Sequence, residues 1–125
     1  MKPRLAKKRR AWRRGRFAET LCLWSLRLKA YRILAHGYKT PVGEIDILAR
    51  RGAVLAAIEV KARPTAIAAS EAVSPRQQRR VARALSHYLT RHPELRSLTQ
   101  RFDVMLVMPG RWPKHVQNAW PGEAL

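Results

Sequence analysis

The stretch from Gly43 to Lys61 constrains the fold more than any other part of this chain. Gly43-Glu44-Ile45-Asp46-Ile47-Leu48-Ala49 alternates acid and aliphatic through Ile47, the period-two signature of a strand. Arg50-Arg51-Gly52 reads as a turn in which Gly52 supplies a positive φ. Ala53 to Lys61 is a second, β-rich run that closes in Ile58-Glu59-Val60-Lys61. Together the two runs predict an antiparallel hairpin. A tight turn sets Asp46 beside or diagonal to Glu59 on one side of the sheet, and Lys61 shares the face of Glu59. Ile45, Ile47, Ile58 and Val60 then point the other way. Ala56-Ala57-Ile58-Glu59-Val60 is nearly all apolar, as in a central buried strand, where a charge needs a purpose.

Around the hairpin the remaining pattern is mixed. From Arg14 to Lys29 the apolar positions Phe17, Leu21, Trp24 and Leu28 recur every three or four residues, which predicts a helix buried along that stripe. Tyr31-Arg32-Ile33-Leu34 reads as a short strand. Ser74-Pro75-Arg76-Gln77 opens a second helix: Ser74 caps it, Pro75 suits its first position, and Gln77 completes a capping box. That helix runs to about Thr90 and buries Val81, Leu85, Tyr88 and Leu89. Phe102 to Val107 is another strand, and a short edge strand is expected between Trp112 and Trp120. The order is α-β-β-β-α-β, a mixed α/β arrangement with a central sheet flanked by helices.

At 125 residues the chain has room for one modest core. Its 26 Lys and Arg against 8 Asp and Glu leave a formal charge of +18, and nucleic acid is the first polyanion that such a surface suits. Nine of the bases and no acid lie in residues 1–16. Residues 1–13 are expected to form a flexible basic arm, 14–118 the single domain and 119–125 a tail. Arg13, Arg14 and Arg16 are candidate phosphate contacts, as are Arg76, Arg79, Arg80 and Arg83 on the second helix. Cys22 is the one cysteine, so no intramolecular disulfide or multi-cysteine metal site can form. No apolar run approaches membrane-spanning length and no apolar stretch follows the first bases, so the cytoplasm is the expected location and no membrane partner is expected. The four histidines are scattered and read as surface or packing residues.

The scarce acids carry the chemistry. Two neighbouring carboxylates repel unless a proton or a cation lies between them. A hard divalent ion, Mg2+ or Mn2+, takes one or two carboxylates and keeps waters for itself and a substrate phosphate. Held by Asp46 and Glu59, with Glu19 completing the shell if the first helix packs across that face, such an ion would activate water for attack on a phosphodiester. Lys61 is then placed to hold the water or to offset growing negative charge.

Asp46 followed by Ile58-Glu59-Val60-Lys61 resembles the PD-(D/E)XK nuclease signature. More specifically, the chain resembles the YraN family of uncharacterised bacterial proteins, similar to archaeal Holliday junction resolvases. The resemblance runs from Gly15 to about Val107, through Gly43-Glu44-Ile45-Asp46, Ile58-Glu59-Val60-Lys61, Glu71-Ala72-Val73-Ser74-Pro75-Arg76 and Arg101-Phe102-Asp103-Val104. It implies a restriction-endonuclease-like fold and Mg2+-dependent cleavage of DNA, branched DNA by analogy with the resolvases. In that scheme Asp46 and Glu59 are ligands, Lys61 is the catalytic lysine and Glu19 an additional acid. The same analogy suggests a homodimer. The alternative is a non-catalytic nucleic-acid-binding protein on the same fold.

Overall fold

The computed structural model describes residues 3–66 and 68–121, and the side chains of these except 3–15, 69 and 70. The elements run α1 (Pro3–Leu28), β1 (Arg32–Thr40), β2 (Gly43–Arg51), β3 (Val54–Ala62), a one-turn α2 (Ala69–Ala72), α3 (Pro75–Arg91), a 3-10 turn (Pro93–Leu95), β4 (Thr99–Val107) and β5 (Lys114–Val116). The α-β-β-β-α-β order is therefore the backbone of the fold, with α2 and the 3-10 turn as additions. The sheet order follows the chain, β1 to β5. Every neighbouring pair is antiparallel except β3 and β4, which are parallel and joined through α3. A parallel pair needs a crossover of this kind, which is why a long helix follows β3.

The hairpin is in the expected register. Ile47 pairs with Ile58, Leu48 with Ala57 and Arg51 with Val54, and Gly52 turns at φ +60°. Helix α3 also follows its sequence. Ser74 Oγ accepts the Gln77 N–H at 3.2 Å, and Val81, Leu85, Tyr88 and Leu89 are buried. They pack on Ile45, Leu48, Leu55, Val104 and Leu106 to form the core on one side of the sheet. Tyr38 meets Tyr88 edge-on at 5.2 Å between ring centroids on the same side.

Helix α1 covers the other side and differs from expectation in two ways. Its helical backbone begins at Pro3, not near Arg14, so from Pro3 onward the stretch assigned to a flexible arm is helical. Arg, Lys, Leu and Ala are good helix formers, and the run contains no internal proline. The buried stripe is also different. Ala18, Cys22 and Leu26 pack on Ile47, Ala49, Ala56, Ile58 and Met105, while Phe17, Trp24 and Leu28 are 65%, 57% and 76% exposed. Small residues let the helix approach the sheet closely. Spacing by three and four marks a helix but does not say which of two such stripes turns inward. The helix ends with Ala30 at φ 67° and the Tyr31 N–H bonded to the Leu26 carbonyl, a left-handed cap made without glycine.

Two further differences lie at the strand ends. Strand β1 is nine residues long and extends through Gly37 to Thr40. The expected tail starts too early, because Trp120 is buried and stacked on Phe102 while the Ala119 N–H bonds the Phe102 carbonyl. The four residues 122–125 lie outside the described residues.

One contact fixes α3 against the start of β2. A Cβ added at Gly43 would stand 1.8 Å from the Arg80 carbonyl oxygen, and neither backbone can yield cheaply. Gly43→Ala is expected to cost about 3 kcal/mol, read as a lower midpoint in urea unfolding. A change within about 0.5 kcal/mol would mean that α3 slides freely over β2.

Candidate active site

The site lies where β2 and β3 part. Their backbone ladder ends at Ile47 and Ile58, while β2 remains paired to β1 through Ile45 and Gly43. Beyond that point the Val60 N–H is taken by Asp46 Oδ2 at 2.9 Å, so a side chain replaces the missing strand partner. The divergence also breaks the alternation along β2. Ile47, Ile58 and Val60 lie on the α1 side as expected, whereas Ile45 packs into the core beneath α3. Strict period-two reading assigns Ile45 and Ile47 to one face; in the structure they pack in different clusters, on either side of the point where the β2–β3 ladder ends.

Glu59 is the most perturbed acid of the site. It is 5% exposed, and its Oε1 finds no hydrogen-bond partner. Burial, then the Asp46 charge and a hydrogen bond with the Asp46 carboxyl, push Glu59 from 4.5 up to about 9, with Lys61 pulling the other way. Near neutral pH Glu59 therefore holds its proton, as a buried carboxyl beside a second one is driven to do. Lys61, half-buried on β3, supplies the cationic neighbour expected of it.

Helix α1 brings Cys22 and Glu19 to this end of the molecule. The Cys22 thiol, fully buried, is pushed up to about 12 by burial, then by Glu19 and by Asp46, with Lys29 opposing. Asp46 is thus within electrostatic reach of α1. Cys22 is a packing residue and no nucleophile, since a thiol in such surroundings stays protonated. Glu19 itself does not join the carboxyl pair: its Oε2 accepts from His36 Nε2 on β1 at 3.0 Å. Among the described residues no group of three His, Cys, Asp or Glu stands ready to hold a metal ion. The chemistry of Asp46 and Glu59 nevertheless fits a hard divalent cation. Two carboxyls converge, one oxygen is buried and unpartnered, and the proton between them is what a cation would replace.

The predicted basic contacts are partly displayed. Arg76, Arg79 and Arg83 are exposed along α3, and Arg16 is exposed on α1. Arg80 is half-buried, because its part of the helix sits against Gly43. The side chains of Arg13 and Arg14 lie outside the described residues.

The sequence does not mark His36 as a partner of Glu19, since its place depends on the β1–β2 register that sets it beside Ile47. Nor does it mark the polar hub on β4. Asp103, fully buried, accepts from Arg101 at 2.8 Å and 2.9 Å, from His115 Nε2 at 2.8 Å and from the Asn118 N–H at 2.9 Å. A scarce acid on a core strand points to a basic partner such as Arg101; nothing in the sequence points to His115.

Comparison with known proteins places this architecture in a group. The model of the uncharacterised protein family UPF0102 matches residues 18–107. A UPF0102 protein of Parvibaculum lavamentivorans is 54% identical over 110 residues, covering 88% of this chain and 83% of its own length. Another, of a Chelativorans species, is 51% identical over 113 residues, covering 90% and 91%. A third, of Maricaulis maris, is 47% identical over 118 residues, covering 94% and 93%. The matched region contains Glu19, Asp46, Glu59, Lys61 and the arginines of α3.

Proposed function

The chain belongs to the UPF0102 family, and from that premise and its paired carboxyls we propose a divalent-metal-dependent endonuclease acting on DNA, branched DNA by its resemblance to resolvases. The observation that carries the reading is Glu59, an almost fully buried acid with an orphaned oxygen beside Asp46. Ionising a carboxyl as buried as Glu59 costs several kcal/mol unless something compensates the charge. A hairpin that served only as scaffold would be more stable with apolar residues there.

Asp46 and Glu59 would hold Mg2+ or Mn2+, which supplies Lewis-acid polarisation of a phosphoryl oxygen and a more acidic water. Lys61 donates hydrogen bonds to the attacking water or to the charge that grows on the phosphate. Arg76, Arg79 and Arg83 bind backbone phosphates and carry no sequence information. Glu19 would join only on release from His36, to which it is hydrogen-bonded. Among the described residues no helix is long and apolar enough to cross a membrane.

The competing reading is a non-catalytic nucleic-acid binder, favoured by the engagement of Glu19 with His36. Incubation with four-way, flapped and linear DNA, with and without Mg2+ or Mn2+, separates the two. Cleavage is expected to need the metal and to fall at least about a hundredfold in Asp46→Ala, Glu59→Ala and Lys61→Ala, while affinity for DNA stays within a few fold. Binding without cleavage under every metal condition overturns the nuclease. Cleavage that persists in Glu59→Ala comes from a contaminant and overturns it equally.

A further inference from the structure

The parallel strands β3 and β4 end level with one another. Lys61 pairs with Leu106 and Ala62 with Val107, and the Arg63 N–H still donates to the Val107 carbonyl at 2.9 Å. Beyond that bond the ladder stops. The segment after β3 and the Pro109-Gly110 turn after β4, with Gly110 at φ 70°, face each other across a cleft of about 340 Å³. Its lining is Pro64, Thr65, Ala66, Met108, Pro109 and Arg111. Pro64 follows Lys61 by three residues, so the cleft opens within about 10 Å of chain from the lysine of the site. The carboxyl ends of parallel strands are where α/β sheets commonly receive ligands.

The lining suits a flat heterocycle. The two prolines, Ala66 and the half-buried Met108 offer apolar walls, and a methionine sulfur is a favourable neighbour for an aromatic ring. Arg111, exposed, brings a planar guanidinium that stacks on a base or bonds its edge, and the Thr65 hydroxyl both donates and accepts. Among the described residues that line the cleft none is acidic, so an incoming strand meets no like charge there. The volume lies at the small end of ligand sites, enough for one nucleoside and too little for a base pair still stacked in a duplex. The arginines of α3 meet phosphates, which paired and unpaired strands display alike. We propose that this cleft takes one unpaired nucleobase of the strand held at Asp46, Glu59 and Lys61, so that the substrate class is DNA with an unpaired stretch beside the cut. The inference rests on the DNA-cleaving function proposed for that site and deepens it. Extruding a base from a duplex costs its pairing and stacking, a cost that a base already single-stranded does not carry.

Binding is read with the full chain, without divalent metal, on a DNA duplex carrying a single-stranded flap and on fully paired DNA of the same length. The flapped DNA should bind at least about tenfold more tightly at about 0.15 M NaCl, a preference that one stacked base can supply. Arg111→Lys keeps the charge and loses the plane. It should cut that preference at least about fivefold, while affinity for paired DNA stays within about twofold. A fluorescent purine analogue whose emission responds to stacking, placed at each flap position in turn, locates the base. At one position near the branch its emission should change on binding the wild type and change far less on binding Arg111→Lys. Equal affinity for flapped and paired DNA overturns the proposal, as does a preference that survives Arg111→Lys. Trp112, next in the chain and 55% exposed, is the control. A preference lost in Trp112→Ala but kept in Arg111→Lys puts the base on that ring and takes it out of the cleft. Cleavage of the same DNAs in Mg2+ is scored separately. Cutting that ignores the flap overturns the cleft and leaves the nuclease standing. A flap preference sensitive to Arg111→Lys, with no cutting under any metal condition, supports the cleft and overturns the nuclease.

Discussion

Replacing Glu59 by glutamine is expected to stabilise the metal-free protein at pH 8 and to abolish any stabilisation by divalent cations. In the unfolded chain Glu59 loses its proton near 4.5, and in the folded protein it holds that proton up to about 9. Between those values the unfolded state binds fewer protons, so stability falls as pH rises, by on the order of 1 kcal/mol per pH unit at most. Below 4.5 both states are protonated and the penalty vanishes. The glutamine amide of Glu59→Gln stays neutral throughout and can still donate to the Asp46 carboxyl. Thermal unfolding of wild type should therefore decline from about pH 5 to pH 9 relative to Glu59→Gln, with the two converging at the acid end. Mg2+ adds the second arm. By replacing the shared proton it should raise the wild-type midpoint, more at pH 8 than at pH 6, and leave Glu59→Gln unmoved. Parallel pH profiles for the two proteins would remove the buried-proton account of the pair, and with it the main support for a cation there.

The residues of that pair were legible because strands alternate and a short turn fixes register. Nothing more than the order of Asp46, the glycine turn and Glu59 was needed to bring the two carboxyls together. What alternation hides is the place where two strands separate. Ile45 and Ile47 look equivalent in sequence, yet one packs beneath α3 and the other beneath α1, because β2 leaves β3 between them. This same separation frees the Val60 N–H that holds Asp46 in place. The irregularity and the site are therefore one feature, and a rule based on regular strands cannot show it.

Helix α1 hides its packing face for a related reason. Its largest apolar residues define the more conspicuous stripe, but tight packing on a sheet surface rich in Ala49, Ala56 and Ile58 is served better by Ala18, Cys22 and Leu26. Size draws the eye to Phe17 and Trp24, while fit decides which face turns inward. The consequence reaches Glu19. With the helix rotated in this way, its carboxyl meets His36 on β1 and stays apart from the pair on β2 and β3. Whether Glu19 contributes to catalysis is thus a question about the strength of one exposed contact, whose two side chains, His36 and Glu19, are 44% and 31% exposed. Such contacts are worth about 1 kcal/mol or less, so substrate can displace this one cheaply.

A different buried acid, on the neighbouring strand β4 in register with Ile58, ties the sheet to the C-terminal segment, and its removal is expected to be the most damaging single change outside the site. Asp103 lies on β4 between the strand core and the returning C-terminal segment. Burial alone would raise its carboxyl; hydrogen bonds from His115, Arg101 and the Asn118 N–H outweigh that and hold it below its ordinary 3.8. Asn118 adopts φ 53° as it presents its N–H, a left-handed conformation that asparagine tolerates better than most residues. Arg101 also donates to the Tyr31 hydroxyl, and Lys29 Nζ lies 3.4 Å from His115 Nδ1. The hub therefore ties β4 to β5, to the end of α1 and to the start of β1. Asp103→Ala would leave the Arg101 guanidinium and the His115 ring, whose side chains are only 15% and 3% exposed, without their acceptor. Stranding a buried charge costs about 3–5 kcal/mol, a large share of the stability of a domain this size. Urea unfolding should show that loss near pH 7. Because the folded carboxyl is held low, its contribution is fully present above 3.8 and is lost as pH falls through the folded value, so the wild type should approach the variant only in strong acid. Adding Arg101→Leu to Asp103→Ala should recover part of the loss, since the second change removes the unpaired charge. If the double variant is weaker than Asp103→Ala by the full cost of losing Arg101 on its own, the two residues act independently and the hub is not a unit.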